Sequence, residues 1–321
     1  MVAAVGYLLA VLSSVFNGSF VAFAKLESVA CVDLHPILFN FYVTCGVAIS
    51  SCLAIPYILA HGGLTFVYEG AVGGVLFVGA SSLSFVAAKN LGLSTGQGVW
   101  SGCAITVAFL WGVLGPQPVG QPLGSLPLSL LALLFLLMGV VGMVKCEPLG
   151  RALDWRELHD TEPLHGSNGS NGSNGSDGSP GSGQRENGLL SEDCALQPQA
   201  VPLARGARVS GFCAAVGVGL FGGSILVPLT YLDDAISALP SFGLGALAGG
   251  ALLTTIFYAA ALRRGEPPAL ELRSTLWAGL ASGLVWNGGN LCQIVAQNVY
   301  GVPYGIAYPI LQALLHPNLR P

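Results

Sequence analysis

A tryptophan and three amides share one helical face near the end of the chain. Trp286, Asn290, Gln293 and Gln297 stand at i, i+4, i+7 and i+11, a spacing that aligns them in a single stripe. Asn287 lies beside it. Tyr304, Tyr308 and Gln312 follow at four-residue steps. Gln97, Trp100 and Ser101 open an earlier apolar stretch that also carries Trp111, and Ser13, Asn17 and Ser19 occupy the first one. Amides bond hydroxyl groups both as donors and as acceptors, and ring faces cover the C–H surface of a solute. Together they suit binding of a neutral, hydroxyl-rich small molecule.

Covalent chemistry has no comparable signature. There is no HExxH, and the YLDD at 231–234 lacks the later Asp after GLGA (243–246) that an intramembrane aspartyl protease needs. No enzyme, metal, cofactor or nucleic-acid partner is expected. The eight cysteines show neither CxxC nor metal-ligand spacing and read as small hydrophobes within apolar runs, so no disulfide is expected either.

The polar residues are embedded in a chain that cannot live in water. It has 321 residues, 53% hydrophobic and 9% charged, whereas soluble domains carry about a quarter charged residues. Apolar windows near the roughly 20 residues that cross a bilayer fall at 3–24, 36–60, 69–88, 94–114, 125–144, 208–231, 241–262 and 275–296, with a shorter one at 302–316. An amide facing lipid would cost several kcal/mol, so the polar residues must face inward. Interhelical bonding and interfacial anchoring would also use such residues. Their concentration on corresponding helices favours a cavity.

Charge distribution orients these spans. Lys25, Lys89, Lys145, Arg151, Arg156, Arg185, Arg205, Arg208, Arg263, Arg264, Arg273 and Arg320 all fall on one side when the spans alternate. The positive-inside rule makes that side cytoplasmic, with Met1 outside and the loop 145–207 inside. That loop contains HGSNGSNGSNGSDGSPGSG (165–183), a tract too polar for a core and read as a flexible linker. Its sequons at Asn168, Asn171 and Asn174 pull the other way. No ionisable side chain lies near the centre of a span, which favours uniport or exchange over proton coupling.

The chain repeats itself. Residues 6–25 align with 211–230, pairing Gly6 with Gly211, Gly18 with Gly223 and Ser19 with Ser224. GASSLSFVAAKNLGLSTGQG (79–98) aligns with GGNLCQIVAQNVYGVPYGIA (288–307), pairing Gly92 with Gly301 and Gly96 with Gly305. Five spans per unit oblige the second copy to enter the membrane inverted, the arrangement of many secondary transporters. The expected fold is an all-α membrane protein of two inverted five-helix repeats: 1–144, the loop 145–207, and 208–321. Adding 209 to 125–144 puts a tenth span beyond Pro321, so about nine are expected here. Gly18, Gly223, Gly96 and Gly305 are expected to pack or hinge the helices. Asn17, Ser19, Gln97, Trp100, Ser224, Trp286, Asn287, Asn290, Gln293, Tyr304 and Tyr308 are the expected substrate contacts.

FNGSF (16–20), DLHPILFNFYV (33–43), GLSTGQGVWSG (92–102) and GIAYPILQ (305–312) resemble the transmembrane protein 144 family. The resemblance implies a carbohydrate carrier of the drug/metabolite transporter superfamily, with ten spans and a substrate site between the halves. Two alternatives stand beside it: a non-transporting truncated or regulatory membrane protein, and a carrier of a non-sugar metabolite.

Overall fold

The computed structural model describes residues 2–32, 34–116, 119, a subset of 127–142, and 205–302. The described residues are helical, with no strand among them. Seven long helices organise them: α1 (Val2–Ser19), α2 (Pro36–Cys52), α3 (Tyr68–Leu91), α4 (Leu93–Leu114), α5 (Arg205–Gly222), α6 (Leu239–Arg263) and α7 (Leu272–Asn298). The described residues between 127 and 142 are helical too. The ninth expected span lies outside the described residues, as does the loop between α5 and the first half.

Local chemistry sets the boundaries. His35 caps α2 by accepting the Ile37 N–H through Nδ1 at 3.3 Å, and Pro36 follows where its missing N–H costs nothing. Gly92, at φ 80°, alone separates α3 from α4. Gly301, its partner in the repeat, also has positive φ, 66°, just after α7. Pro240 stands in the first turn of α6.

In two expected spans the α-helix ends early, at corresponding points of the repeat. The first does not continue as one α-helix to residue 24: α1 stops at Ser19 and tightens into a 3-10 segment, Phe20–Lys25. The sixth, expected over 208–231, stops at Gly222 and passes through turns into a 3-10 segment, Pro228–Tyr231. The paired phrases FNGSF and FGGSI supply glycine and serine at both breaks. These residues weaken a helix by backbone freedom and by side-chain bonds to its carbonyls.

Outer faces are apolar and the interior is not. Leu8, Leu12, Val75, Leu114, Leu244, Leu252, Ile256 and Trp277 are exposed, while Ser13, Ser81, Ser84, Ser282, Asn287, Asn290 and Gln293 are buried. A soluble monomer does not expose apolar surface on this scale; a bilayer covers it. Five segments are long and apolar enough to cross one: Ala4–Lys25, Pro36–His61, Tyr68–Leu91, Leu93–Leu114 and Leu239–Arg263. The chain is therefore a membrane-embedded helical protein. At 27 residues, α7 has the length, but its amides lower its hydropathy.

The principal packed pairs are α3 with α6, α2 with α7, α3 with α5, α1 with α7, α2 with α6 and α4 with α5. In α1–α7, Gly6 lies against Tyr300 and Val302 and Gly289 against Ser13 and Phe16, so the two run antiparallel. In α5–α3, Gly211 lies against Asn90 and Leu91 and Gly217 against Leu83, again antiparallel. The helices of α3–α6 run the same way, with Gly70 at Ala238 and Gly74 at Gly245. So do those of α2–α7, with Gly279 at Tyr42 and Gly283 at Gly46. Finally, α2 and α6 are antiparallel, Gly243 meeting Ser51 and Gly250 meeting Thr44. These registers gather Lys25, Lys89, Arg208, Arg263, Arg264 and Arg273 at one end of the bundle. Glu69, Asp233 and Asp234 lie at the other.

Cys31, expected to be unpaired, is disulfide-bonded. It is an exposed residue in the connection after α1, where the argument from apolar spans does not apply. Cys45, Cys52, Cys103, Cys213 and Cys292 are free.

Two crossings depend on glycine. A Cβ on Gly74 would collide with the Phe242 carbonyl and lie 2.6 Å from the Ala246 nitrogen. One on Gly283 would collide with the Val43 carbonyl and lie 2.8 Å from the Val47 nitrogen. By contrast, nothing lies within 4 Å of a Cβ on Gly288. Gly74→Ala and Gly283→Ala should each destabilise the bundle by about 1–3 kcal/mol through overpacking. Gly288→Ala should be neutral or slightly stabilising. Thermal denaturation of the three purified variants in detergent, followed by loss of the monodisperse peak, checks the ordering.

Candidate functional site

The interrupted spans and two helical stripes enclose a central cavity. On α3, Phe77, Ser81 and Ser84 face it at i, i+4 and i+7; on α7, Trp286, Asn290 and Gln293 do so at the same spacing. Asn17 and Phe20 contribute from the first break, and Gly222, Ile225 and Leu226 from the second. Trp100 and Ala104 of α4 close the wall. The space between these atoms, counting its open mouth, is about 640 Å³.

The aromatic floor is continuous. Trp286 packs on Phe77 with centroids 3.9 Å apart and on Phe242 at 5.9 Å. The α3 residues stand 209 positions before the α7 residues: Phe77 before Trp286, Ser81 before Asn290, Ser84 before Gln293. That is the offset of the repeat itself. Sequence reasoning named the α7 stripe and missed its α3 counterpart, because Phe77, Ser81 and Ser84 look unremarkable in an apolar helix. The 209-residue alignment was the signal that could have found them.

Hydrogen bonds set the polarity of the wall. Ser50 donates its hydroxyl to the Gly46 carbonyl at 2.9 Å, so its Oγ is free to accept, and it does so from Asn287 Nδ2 at 2.9 Å. Asn287 also reaches Ser51 Oγ at 3.2 Å. Its Oδ1 then accepts from Asn290 Nδ2 at 3.3 Å. Asn17 gives its Nδ2 to the Ser13 carbonyl at 3.0 Å. Ser81 and Ser84 give their hydroxyls to the carbonyls of Phe77 and Ser81, at 2.9 and 2.7 Å. Gln293 is different: it is fully buried, and neither its Oε1 nor its Nε2 has a partner. Such an orphaned amide costs about 1–3 kcal/mol, a cost that a polar ligand would relieve.

Of the expected contacts, Asn17, Trp100, Trp286, Asn290 and Gln293 share this cavity. Asn287 is buried but turned toward α2, where it orients Asn290. Gln97 is buried and outside the cavity wall. Ser19 donates to the Val15 carbonyl. Ser224 accepts the Trp111 indole N–H at 3.0 Å, bracing the second break against α4. The first break is braced too, since Ser282 of α7 donates to the Phe20 carbonyl at 2.7 Å.

Among the expected packing glycines, Gly18 is buried. Gly223 lies tightly against Ala104 and Val107 of α4, rather than against α1, and Gly96 makes ordinary contact with the Trp100 ring. Gly305, Tyr304 and Tyr308 lie outside the described residues. Among the described residues no three His, Cys, Asp or Glu side chains could hold a metal.

Comparison with protein-family models, curated proteins and solved structures returns no match.

Gln293→Leu should raise thermal stability in the absence of ligand by about 1–3 kcal/mol, because a near-isosteric apolar group removes the unsatisfied amide. Differential scanning fluorimetry in detergent checks this; a lowered melting temperature would assign Gln293 a structural bond.

Proposed function

We propose that this protein is a carrier for a neutral, hydroxyl-rich solute, a carbohydrate or sugar derivative, working by alternating access between two inverted halves. The observation that carries this reading is the composition of the cavity: corresponding positions of the two repeats line it, and both interrupted spans end on it. Broken helices meeting at a midplane site between inverted repeats are how many secondary transporters hold substrate.

Helix directions support the inversion. Exchanging α1 with α5, α2 with α6 and α3 with α7 carries α3–α6 into α2–α7 and α3–α5 into α1–α7, leaves α2–α6 in place, and reverses the direction of each of these six helices. A tenth span and the family resemblance belong to the same proposal. By the positive-inside rule the basic end is cytoplasmic, which makes α1 start outside.

None of the lining residues titrates in the physiological range, so the cavity offers no proton to couple and supports uniport or exchange. The protein reconstituted in vesicles should take up a labelled hexose, pentose or polyol saturably. Uptake should be accelerated by unlabelled solute on the far side and change little between about pH 5.5 and 8. Asn290→Leu should lower uptake about tenfold or more, since one good hydrogen bond is worth roughly that factor. Uptake of amines or amino acids alone, from the same panel, would remove the carbohydrate assignment.

A further inference from the structure

We infer that the cavity selects an unphosphorylated polyol and rejects sugar phosphates and other anions, because no cationic side chain lines it and backbone carbonyls hold several of its polar groups as hydrogen-bond acceptors. This inference rests on the central-cavity reading above and narrows its ligand.

A carbonyl can only accept, so each side chain bonded to one must present its donor there. Asn17 turns its NH2 to the Ser13 carbonyl, leaving Oδ1 as its remaining acceptor. Ser81 and Ser84 spend their only protons on the carbonyls of Phe77 and Ser81 and keep lone pairs alone. The relay to Asn290 starts the same way. Gly46 accepts from Ser50, which accepts from Asn287, which accepts from Asn290. That order commits one N–H of Asn290 and leaves its Oδ1 unused. The Asn17 orientation does not depend on how an amide is drawn, since reversing it would set two acceptors face to face.

Gln293 is the exception, with donor and acceptor both unspent. The remaining donors are its NH2, one N–H of Asn290 and the indoles of Trp100 and Trp286. No lining residue is cationic. A hydroxyl donates to a fixed lone pair while accepting from an N–H, so a polyol can answer both kinds of group. A fully ionised phosphate or a carboxylate cannot donate, and would lie against several oxygens with no positive charge to offset its desolvation. Quaternary ammonium ligands suit the rings but leave the Gln293 N–H groups unanswered.

The test is a titration of intrinsic tryptophan fluorescence, to which Trp100 and Trp286 contribute, on the full chain in detergent. The probes are D-glucose, D-sorbitol, myo-inositol, glucose 6-phosphate and choline. At least one polyol should saturate the signal, with glucose 6-phosphate and choline binding about tenfold or more weakly. Gln293→Leu and Ser84→Ala should each weaken polyol binding, the former about tenfold, with no fall in the ligand-free melting temperature of Gln293→Leu. Glucose 6-phosphate binding as tightly as glucose, choline binding alone, no saturation by any polyol, or unchanged affinity in Gln293→Leu would each overturn the inference. Polyol binding without vesicle uptake would keep it and remove the carrier reading. Vesicle uptake of the phosphorylated sugar would do the reverse.

Discussion

The bundle is organised by backbone meeting backbone at Gly74 and Gly283. Lipid tails are as apolar as any side chain, so helices in a bilayer gain little by hiding leucines from them. Close van der Waals contact and hydrogen bonding must hold them together instead. At Gly74 the α3 backbone settles onto Phe242, Gly245 and Ala246 of α6; at Gly283 the α7 backbone settles onto Val43, Gly46 and Val47 of α2. These are corresponding contacts of the two halves. The separation they set brings the faces of α3 and α7 carrying Phe77 and Trp286 within stacking distance. The cavity is thus a consequence of missing methyl groups at these crossings, where Gly46 and Gly245 meet the Leu280 and Ala71 carbonyls just as closely.

The same solvent logic sorts the side chains. Leucine, valine and isoleucine spread over the outside, where membrane takes the place of a protein partner. The interior receives serines and amides because only there can they find acceptors. Most of them succeed locally, by bonding a carbonyl one turn back. Asn40, Ser101, Thr254 and Gln297 each leave one buried polar atom without a partner, and Gln293 leaves both of its own at the cavity wall.

Helix positions were readable because long apolar runs separated by glycine, proline and charge leave few alternatives. The windows at 36–60, 69–88, 94–114, 241–262 and 275–296 correspond to α2 with its short extension (Ile55–His61), α3, α4, α6 and α7. The breaks after Ser19 and Gly222 were not readable. Hydropathy runs smoothly through FVAFAK and ILVPL, and glycine and serine, common in packed spans, do not by themselves announce where the α-helix ends. The α7 stripe was visible because Trp and amides stand out in an apolar helix. Its α3 partner was not, since serine in a span usually means nothing more than a bond to its own helix. Asn287 shows the converse error: correct residue type, correct neighbourhood, wrong face. Cys31 escaped because span reasoning was applied to a residue in a connection.

The two breaks, though matched in position, are secured unequally. The Phe20 carbonyl is held by the Ser282 hydroxyl. Its counterpart at Ile225 faces Gly73, which has no hydroxyl to offer, and the residue three further on is Pro228, which has no N–H. What the second break has instead is an indole from α4 on Ser224. Duplicated architecture therefore does not entail duplicated mechanics. One rim is pinned through its main chain by a hydroxyl and the other through a serine side chain by an indole, so thermal agitation will loosen them at different rates.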